Sequence, residues 1–426
     1  MRLQLITGKI NGIASACCLV LVSSMVLMGN FVKAQDTNQL DEGKDSKSND
    51  YFKDFREKKK EIDVNFLFNY YDQDGDHAAV TGGTGTEALN DRAMKIVINV
   101  PLDSITNFHL NSHVNVYTSA STDNIDSNVS SASRHDLRYQ MEIGYEKQLP
   151  AGNGYKLKFG GSSESDYLSV YGGMTWKKLF NADNSEIGLG LEAYFDTWLL
   201  IFPEELRVTE ETDFFTTNRR KSFNLSFHFA QVFNKKLQAS LSTDLVWQHG
   251  LLSTPFHRVY FQNIEMPKIE RLPSSRLKFP VGLRLNYFAT DFLIMRGHYR
   301  FYQDDFEINA HSLSLETPVK VSSFFSFYPF YRYHSQSAAT FFKPFQQHRL
   351  RNIRYYTSDY DLSAFESHKI GLGLHFSPLY GIGRFKLFSQ KRITRFKGID
   401  LRAALYRRSD GLQAFLLSFD FAFTAN

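Results

Sequence analysis

The sequence predicts an all-β fold, a transmembrane antiparallel β-barrel of 16 strands, with a range of 14 to 18. Three observations support this prediction. Apolar and polar residues alternate in many segments, the connections between segments alternate between long and short, and aromatic residues make up 15% of the chain. Each segment is about ten residues long, the length that a tilted strand needs to cross a bilayer.

The segment 1–34 is predicted to be a secretory signal peptide. Arg2 and Lys9 supply a positive start, an apolar stretch follows, and Val32, Lys33 and Ala34 offer a small-residue cleavage site. An exported chain with barrel-forming strands is expected in the outer membrane of a Gram-negative bacterium.

The composition excludes several classes of protein. The only two cysteines, Cys17 and Cys18, lie in the predicted signal peptide, so the mature chain is expected to lack disulfides and thiolate sites. Cleavage removes three cations and no acid, which lowers the formal charge from +4 to +1. A strongly basic nucleic-acid-binding protein is therefore not expected. The later chain has no run of about 18 apolar residues, the length of a transmembrane helix.

Residues 35–60 are predicted to be a charged periplasmic lead, and residues 61–426 the barrel. The lead contains "KDSKSND" and "REKKK" and few apolar side chains, a composition typical of disordered segments. It is too short and polar to form a folded plug. This argues against a TonB-dependent transporter, which needs a plug domain of substantial size.

The two ends of the predicted barrel show the alternation most clearly. In "EIDVNFLFNYY" (61–71) the even-numbered residues 62–70 are apolar or aromatic, and in the last segment the odd-numbered residues 415–423 are. Successive side chains of a strand point to opposite faces, so each segment has one apolar face. Fourteen more such segments lie between them, including 137–146, 186–195, 222–231, 237–247 and 276–288.

The connections distinguish a membrane barrel from a soluble sandwich. The long ones are 72–91, 119–136, 199–220, 249–275 and 336–367, and the short ones are 103–106, 181–185, 234–236, 289–291 and 321–323. Tight turns near Ser165, Asp305 and 409–411 interrupt the long series, and a long connection, 379–397, interrupts the short one. Long loops on one rim and short turns on the other are typical of outer-membrane barrels, and a sandwich would not sustain strands with aromatic outer faces.

Five longer blocks of the sequence resemble the recurrent blocks of an uncharacterised outer-membrane protein family, known only as a domain of unknown function. The blocks are "YYDQDGDHAAVTGGTGTEALND", "HGLLSTPFHRVYF", "RLPSSRLKFPVGLRLNYF", "YYTSDYDLSAFESHKIGLGL" and "YRRSDGL". The resemblance extends over the whole mature chain. It implies a barrel in a Gram-negative outer membrane, and it implies no substrate and no catalytic residues.

The first long connection contains a candidate calcium site. Asp72, Asp74 and Asp76 offer carboxylate ligands at alternate positions, and Gly75 permits a turn. The pattern departs from a calcium-binding helix–loop–helix motif, since Gly83 occupies the last ligand position. The alternative is that the aspartates only cap turns. A phosphate loop is excluded because no Gly-Lys-Ser/Thr follows the glycines. No other cofactor is predicted.

Charged residues at inward-facing positions are the candidate channel lining. On the later strands these are Lys278, Arg284, Arg296, Arg300, Arg332 and Arg402, and on the earlier strands Glu142, Glu192, Asp196 and Asp244. Cations on one wall and acids on the other would create a transverse field that selects solutes by charge. Alternatively, the charges pair with acids such as Glu316, Asp400 and Asp420 and fill a plugged interior.

The function predicted from these features is a porin-like channel for small polar or anionic solutes, with loop 336–367 constricting its mouth. The alternative is a non-conducting barrel that serves as a binding or scaffold protein for partner proteins. No catalytic residues are predicted and the protein is not expected to be an enzyme. An outer-membrane hydrolase with a Ser–His pair across strands is the third option.

Overall fold

The computed structural model describes residues 61–118, 135–200, 202–206, 216–350, 353–386 and 394–425. One compact unit consists of Ile62–Arg384 and Arg395–Ala425. The other consists of residues 1–61, 385–394 and 426, nearly all of them outside the described residues. The predicted signal peptide and the predicted lead therefore lie outside the described residues.

The described residues form twenty strands and three short 3-10 turns. The strands are β1 (Ile62–Asp74), β2 (Leu89–Pro101), β3 (Thr106–Thr118), β4 (His135–Gln148), β5 (Asn153–Ser163), β6 (Tyr167–Phe180), β7 (Ser185–Leu200), β8 (Thr216–Asn234), β9 (Leu237–Gly250), β10 (Arg258–Val259), β11 (Lys268–Ile269), β12 (Ser275–Phe288), β13 (Ile294–Asp304), β14 (Asn309–Glu316), β15 (Val319–Lys320), β16 (Phe325–Gln336), β17 (Phe365–Phe376), β18 (Gly383–Phe385), β19 (Thr394–Arg408) and β20 (Gln413–Ala425). The 3-10 turns are Ala79–Thr81, Glu204–Leu206 and Tyr360–Leu362.

Sixteen of the described strands, all except β10, β11, β15 and β18, form one closed antiparallel barrel. Each of the sixteen pairs with the next one along the chain, and β20 pairs with β1 to close the sheet. In this closing pair Phe66 lies opposite Phe421 and Phe68 opposite Phe419. The predicted 16-strand barrel is confirmed. Closure leaves no edge strand with unpaired backbone groups.

The outer face of the barrel is apolar, because alternate residues of each strand point outward. Large outward side chains that are exposed include Phe159, Leu191, Leu283, Leu313, Ile370 and Leu405. Aromatic rings also meet across the closing strands, with 5.6 Å between the ring centroids of Phe66 and Phe423. No helix in the described part of the chain is long and apolar enough to cross a membrane.

The two rims of the barrel differ in the length of their connections. The long-loop rim carries residues 75–88, 251–274 and 337–364, together with the tight turns 164–166, 305–308 and 409–412. The short-turn rim carries 102–105, 149–152, 181–184 and 235–236. This is the predicted alternation, including the predicted tight turns on the long-loop rim.

The loops 75–88, 251–274 and 337–364 fold together, and we call them the loop cap. Phe261 bridges to His348, and Arg271 to Tyr356, in short strand-like contacts between loops. Val259, Phe261, His348 and Thr357 are almost completely buried although none of them belongs to a barrel strand. The loop cap is therefore a packed structure with its own small core.

Candidate functional site

The inner wall of the barrel carries exposed arginines. Arg284 lies between the outward residues Leu283 and Leu285 on β12, so its side chain points inward. Arg296, Arg300 and Arg332 point inward by the same alternation on β13 and β16, and all four are exposed. Because these side chains face the interior and are exposed, there is open space next to them inside the barrel.

Three of these cations form an unpaired cluster, which we call the arginine cluster: Arg284, Arg300 and Arg332. Among the described residues, none of the three has a carboxylate within 4 Å of its guanidinium. All three interact electrostatically with His298, which lies opposite Arg284 in the ladder. Arg300 also interacts with Asp244 at longer range. The cluster concentrates positive charge on one part of the wall.

Two other predicted lining cations share one acid, so these three side chains together keep one net positive charge. Glu316 accepts from Arg296 at 2.9 Å and from Arg402 at 2.5 Å. The guanidinium of Arg402 also lies over the rings of Tyr328 and Phe330, at 4.8 and 5.4 Å from their centroids. Charge pairing and cation–π contact thus hold this part of the wall in place.

The predicted lining acids on the opposite wall are held by local partners. Glu192 pairs with the ammonium of Lys158 at 2.6 Å, and Asp196 with the guanidinium of Arg220 at 2.7 Å. Glu142 accepts from Asn111 at 3.0 Å and from Tyr171 at 3.2 Å. Lys278 on the cationic side is half-buried. The two walls therefore do not carry simple opposite charge.

The structure does not bring the three predicted calcium ligands together. Asp72 and Asp74 belong to β1, whose ladder continues as far as Asp74, the residue before Gly75, with Asp72 opposite Asn90 and Asp74 opposite Gln413. Asp72 accepts a hydrogen bond from Asn90. Residues two apart in a strand lie roughly 6–7 Å apart, too far to share an ion. The groups of possible metal donors in the described chain do not include them.

A Ser–His pair across strands is present, but it is poorly placed for hydrolysis. Ser312 on β14 lies 2.7 Å from Nδ1 of His334 on β16, and Gln336 lies 3.3 Å from the other ring nitrogen. The hydroxyl-bearing Ser312 is only 9% exposed. Its neighbours' backbone amides belong to the sheet ladder, so they are not free to stabilise an oxyanion.

A cavity of about 580 Å³ lies between the loop cap and the inner wall. Wall residues Arg332 and Lys369 line it from one side, and His257, Asp359 and Asp361 line it from the loop cap. Loop 337–364 therefore faces the inner wall across this cavity. Sequence reasoning missed His257 and its acidic neighbours, because no spacing pattern links residues on two different loops.

The closed antiparallel sheet, the apolar outer face and the charged inner wall define an outer-membrane-type β-barrel protein. The chain belongs to the family described as "Protein of unknown function (DUF3570)", whose model matches residues 17–379. The predicted membership of an uncharacterised barrel family is confirmed. No curated protein matches the chain.

Solved barrels are similar to this chain at low identity. A mutant of the ferric enterobactin receptor PfeA from Pseudomonas aeruginosa is 11% identical, with a TM-score of 0.43 over 81% of this chain and 53% of that chain. A bacterial polysaccharide outer membrane secretin is 11% identical, with a TM-score of 0.45 over 85% of this chain and 97% of that chain. The outer membrane protein OpdK from Pseudomonas aeruginosa is 8% identical, with a TM-score of 0.37 over 85% of this chain and 99% of that chain. The chain spans about half the length of the receptor.

Proposed function

We propose that the protein is an outer-membrane channel for small polar or anionic solutes. In this proposal a signal peptide directs export, the apolar outer face sits in outer-membrane lipid, and loop 337–364 narrows the mouth. No catalytic residue, cofactor or nucleic-acid partner is part of it.

The exposure of the inward-facing arginines carries the proposal. In a packed interior the guanidinium groups would be buried against acids, whereas Arg284, Arg300 and Arg332 are exposed and have no acid within 4 Å among the described residues. Barrels of 16 strands commonly enclose an aqueous channel. Unpaired cations beside water attract anions and repel cations.

Planar-bilayer recording of the purified full chain tests the proposal. We expect single-channel conductance and, across a KCl gradient, a reversal potential that reports preference for chloride. Replacing Arg284, Arg300 and Arg332 by Gln should move this potential toward zero. Arg407→Gln is the matched control, because Arg407 shares the outward parity of Leu405 on β19 and should leave selectivity unchanged. No conductance, or an unchanged potential in the triple variant, would overturn the proposal.

A second candidate function is a closed barrel that binds partner proteins through the loop cap. The observation that favours it is the buried core of the loop cap, with Val259, Phe261 and His348 at its centre, since a packed cap presents a defined surface. This second function is favoured if the wild-type protein does not conduct ions but a variant whose loop cap has been loosened does.

A further inference from the structure

Three side chains of the loop cap converge on one point. Nδ1 of His257 lies 3.7 Å from Oε1 of Glu270 and 3.8 Å from Oδ2 of Asp359. One donor atom from each of the three residues lies within 4.8 Å of the other two. His257 and Glu270 come from loop 251–274 and Asp359 from loop 337–364, so the group joins two loops.

The hydrogen bonds around this group hold both carboxylates but do not include Nδ1 of the imidazole. Oε2 of Glu270 accepts from the amide of Thr254 at 2.8 Å, and Oε1 accepts from the hydroxyl of Thr357 at 2.5 Å. Oδ1 of Asp359 accepts from the amide of Asp361 at 2.9 Å. Nδ1 of His257 is buried and has no hydrogen-bond partner. A buried polar atom without a partner is unfavourable unless something binds it.

The distances suit a bound cation better than a direct contact. A protonated imidazole would donate to a carboxylate at about 2.7–2.9 Å, and neither acid lies that close to His257. Two ligands about 2.1 Å from a tetrahedral ion are roughly 3.4 Å apart. The observed 3.7 and 3.8 Å from the imidazole to the two carboxylates are within a few tenths of an ångström of this separation.

We propose that His257, Glu270 and Asp359 bind a divalent transition-metal ion, Zn²⁺ or Mn²⁺. One imidazole and two carboxylates suit both ions. His257 and Asp359 also line the cavity beneath the loop cap, which leaves an open coordination position on the cavity side for water or an anionic oxygen. The ion ties loop 251–274 to loop 337–364, and this site does not depend on whether the barrel conducts.

Calorimetric titration of the EDTA-treated full chain with Zn²⁺ and with Mn²⁺ tests the site. We expect one ion per chain, with the affinity lowered more than about tenfold in Asp359→Asn and His257→Gln. Asp361→Asn is the matched control, because it removes a neighbouring carboxylate that is outside the donor group. Heat-dependent migration of the barrel on gels checks that each variant is folded.

The Mn²⁺-loaded protein gives a second readout. Electron spin echo modulation should show one imidazole nitrogen coupled to the ion, and the signal should be lost in His257→Gln. The proposal is overturned if neither metal binds saturably, if Asp359→Asn binds as the wild type does, or if the nitrogen coupling survives in His257→Gln.

Discussion

The guanidinium of Arg408 on the inner wall lies 2.6 Å from a carboxylate oxygen of Asp361 in the loop cap. The same guanidinium donates to the carbonyl of Tyr360 at 2.9 Å and to Asp410 at 2.5 Å. It also lies 3.9 Å from the ring centroid of Phe365. Arg408 is only 5% exposed. It therefore joins strand β19 to loop 337–364 through a nearly buried charge.

Replacing Arg408 by Gln should loosen the loop cap. Removing one member of a buried charge network leaves Asp410 without its cation, a change that costs about 3–5 kcal/mol. Hydrogen exchange of loop 337–364 should become faster, and conductance should rise if this loop narrows the mouth. Asp361→Asn should have a much smaller effect, because that carboxylate is 78% exposed and exposed pairs contribute little. Equal exchange in wild type and Arg408→Gln would contradict the assignment.

Gly83→Ala should disturb the contact between loops 75–88 and 337–364. Gly83 has a φ of +89°, and a Cβ there would lie 2.8 Å from the carbonyl oxygen of Ser358. The left-handed backbone alone costs an alanine on the order of 1–2 kcal/mol. We expect faster hydrogen exchange in both loops.

Gly297→Ala is the control for this substitution, because nothing lies within 4 Å of a Cβ at that position. It should leave exchange in both loops unchanged. Wild-type exchange in Gly83→Ala would show that the loops do not pack as described.

A charge on the outer face should be far more harmful than the same charge one residue away on the inner face. Leu225 on β8 points outward and is 47% exposed, whereas Ser226 faces Asp244 in the ladder and points inward. Arginine on the lipid face of a barrel costs about 2–4 kcal/mol at mid-membrane. Urea unfolding in lipid vesicles should show Leu225→Arg destabilised and Ser226→Arg close to wild type. Equal losses would argue against membrane insertion in this orientation.

The loop cap should loosen as the pH falls, because of His348. Its Nε2 lies 2.9 Å from the carbonyl oxygen of Thr357, and burial lowers the pKa of its imidazole. In the opened cap the pKa returns to about 6.5. The contribution of His348 to the stability of the closed loop cap is therefore full above about pH 6.5. It is lost as the pH falls through the lowered pKa of the imidazole in the closed cap.

Hydrogen exchange of loop 337–364, corrected for intrinsic rates, should rise between pH 7 and pH 5 by a larger factor in wild type than in His348→Gln. The comparison separates His348 from other titrating groups of the loop cap, since these are present in both proteins. The same pH response in the two proteins would exclude His348 as its source.

The barrel could be predicted from the sequence because its signals are local. Alternation within residues 62–70 and 415–423 sets which side chains point outward, and the same parity assigns Arg284 and Arg332 to the inner wall. The length of each loop likewise follows from the number of residues between successive alternating segments. None of these inferences requires knowing which strands are neighbours.

Glu316 could be named as a partner for inward-facing cations, but which cations it binds and how the loop cap packs could not be predicted, because both depend on contacts between distant residues. Arg402 and Glu316 are 86 residues apart, and Thr357 and Glu270 are 87 apart. Irregular loops have no periodicity that would bring such residues together. The separation of the aspartates of the first loop has a related cause: pairing with both neighbouring strands extends β1 through Asp74.

The seam between β1 and β20 joins residues from the two ends of the barrel sequence. Asn65 donates to Asp420 across it, over 355 residues of chain. Contacts of such long sequence separation form slowly, because the entropy of closing the loop opposes them. Until they form, both edge strands expose backbone groups that hydrocarbon cannot solvate and that can pair with another chain. An open sheet in hydrocarbon is therefore unfavourable, and slow closure prolongs the time during which both edges can pair with another chain.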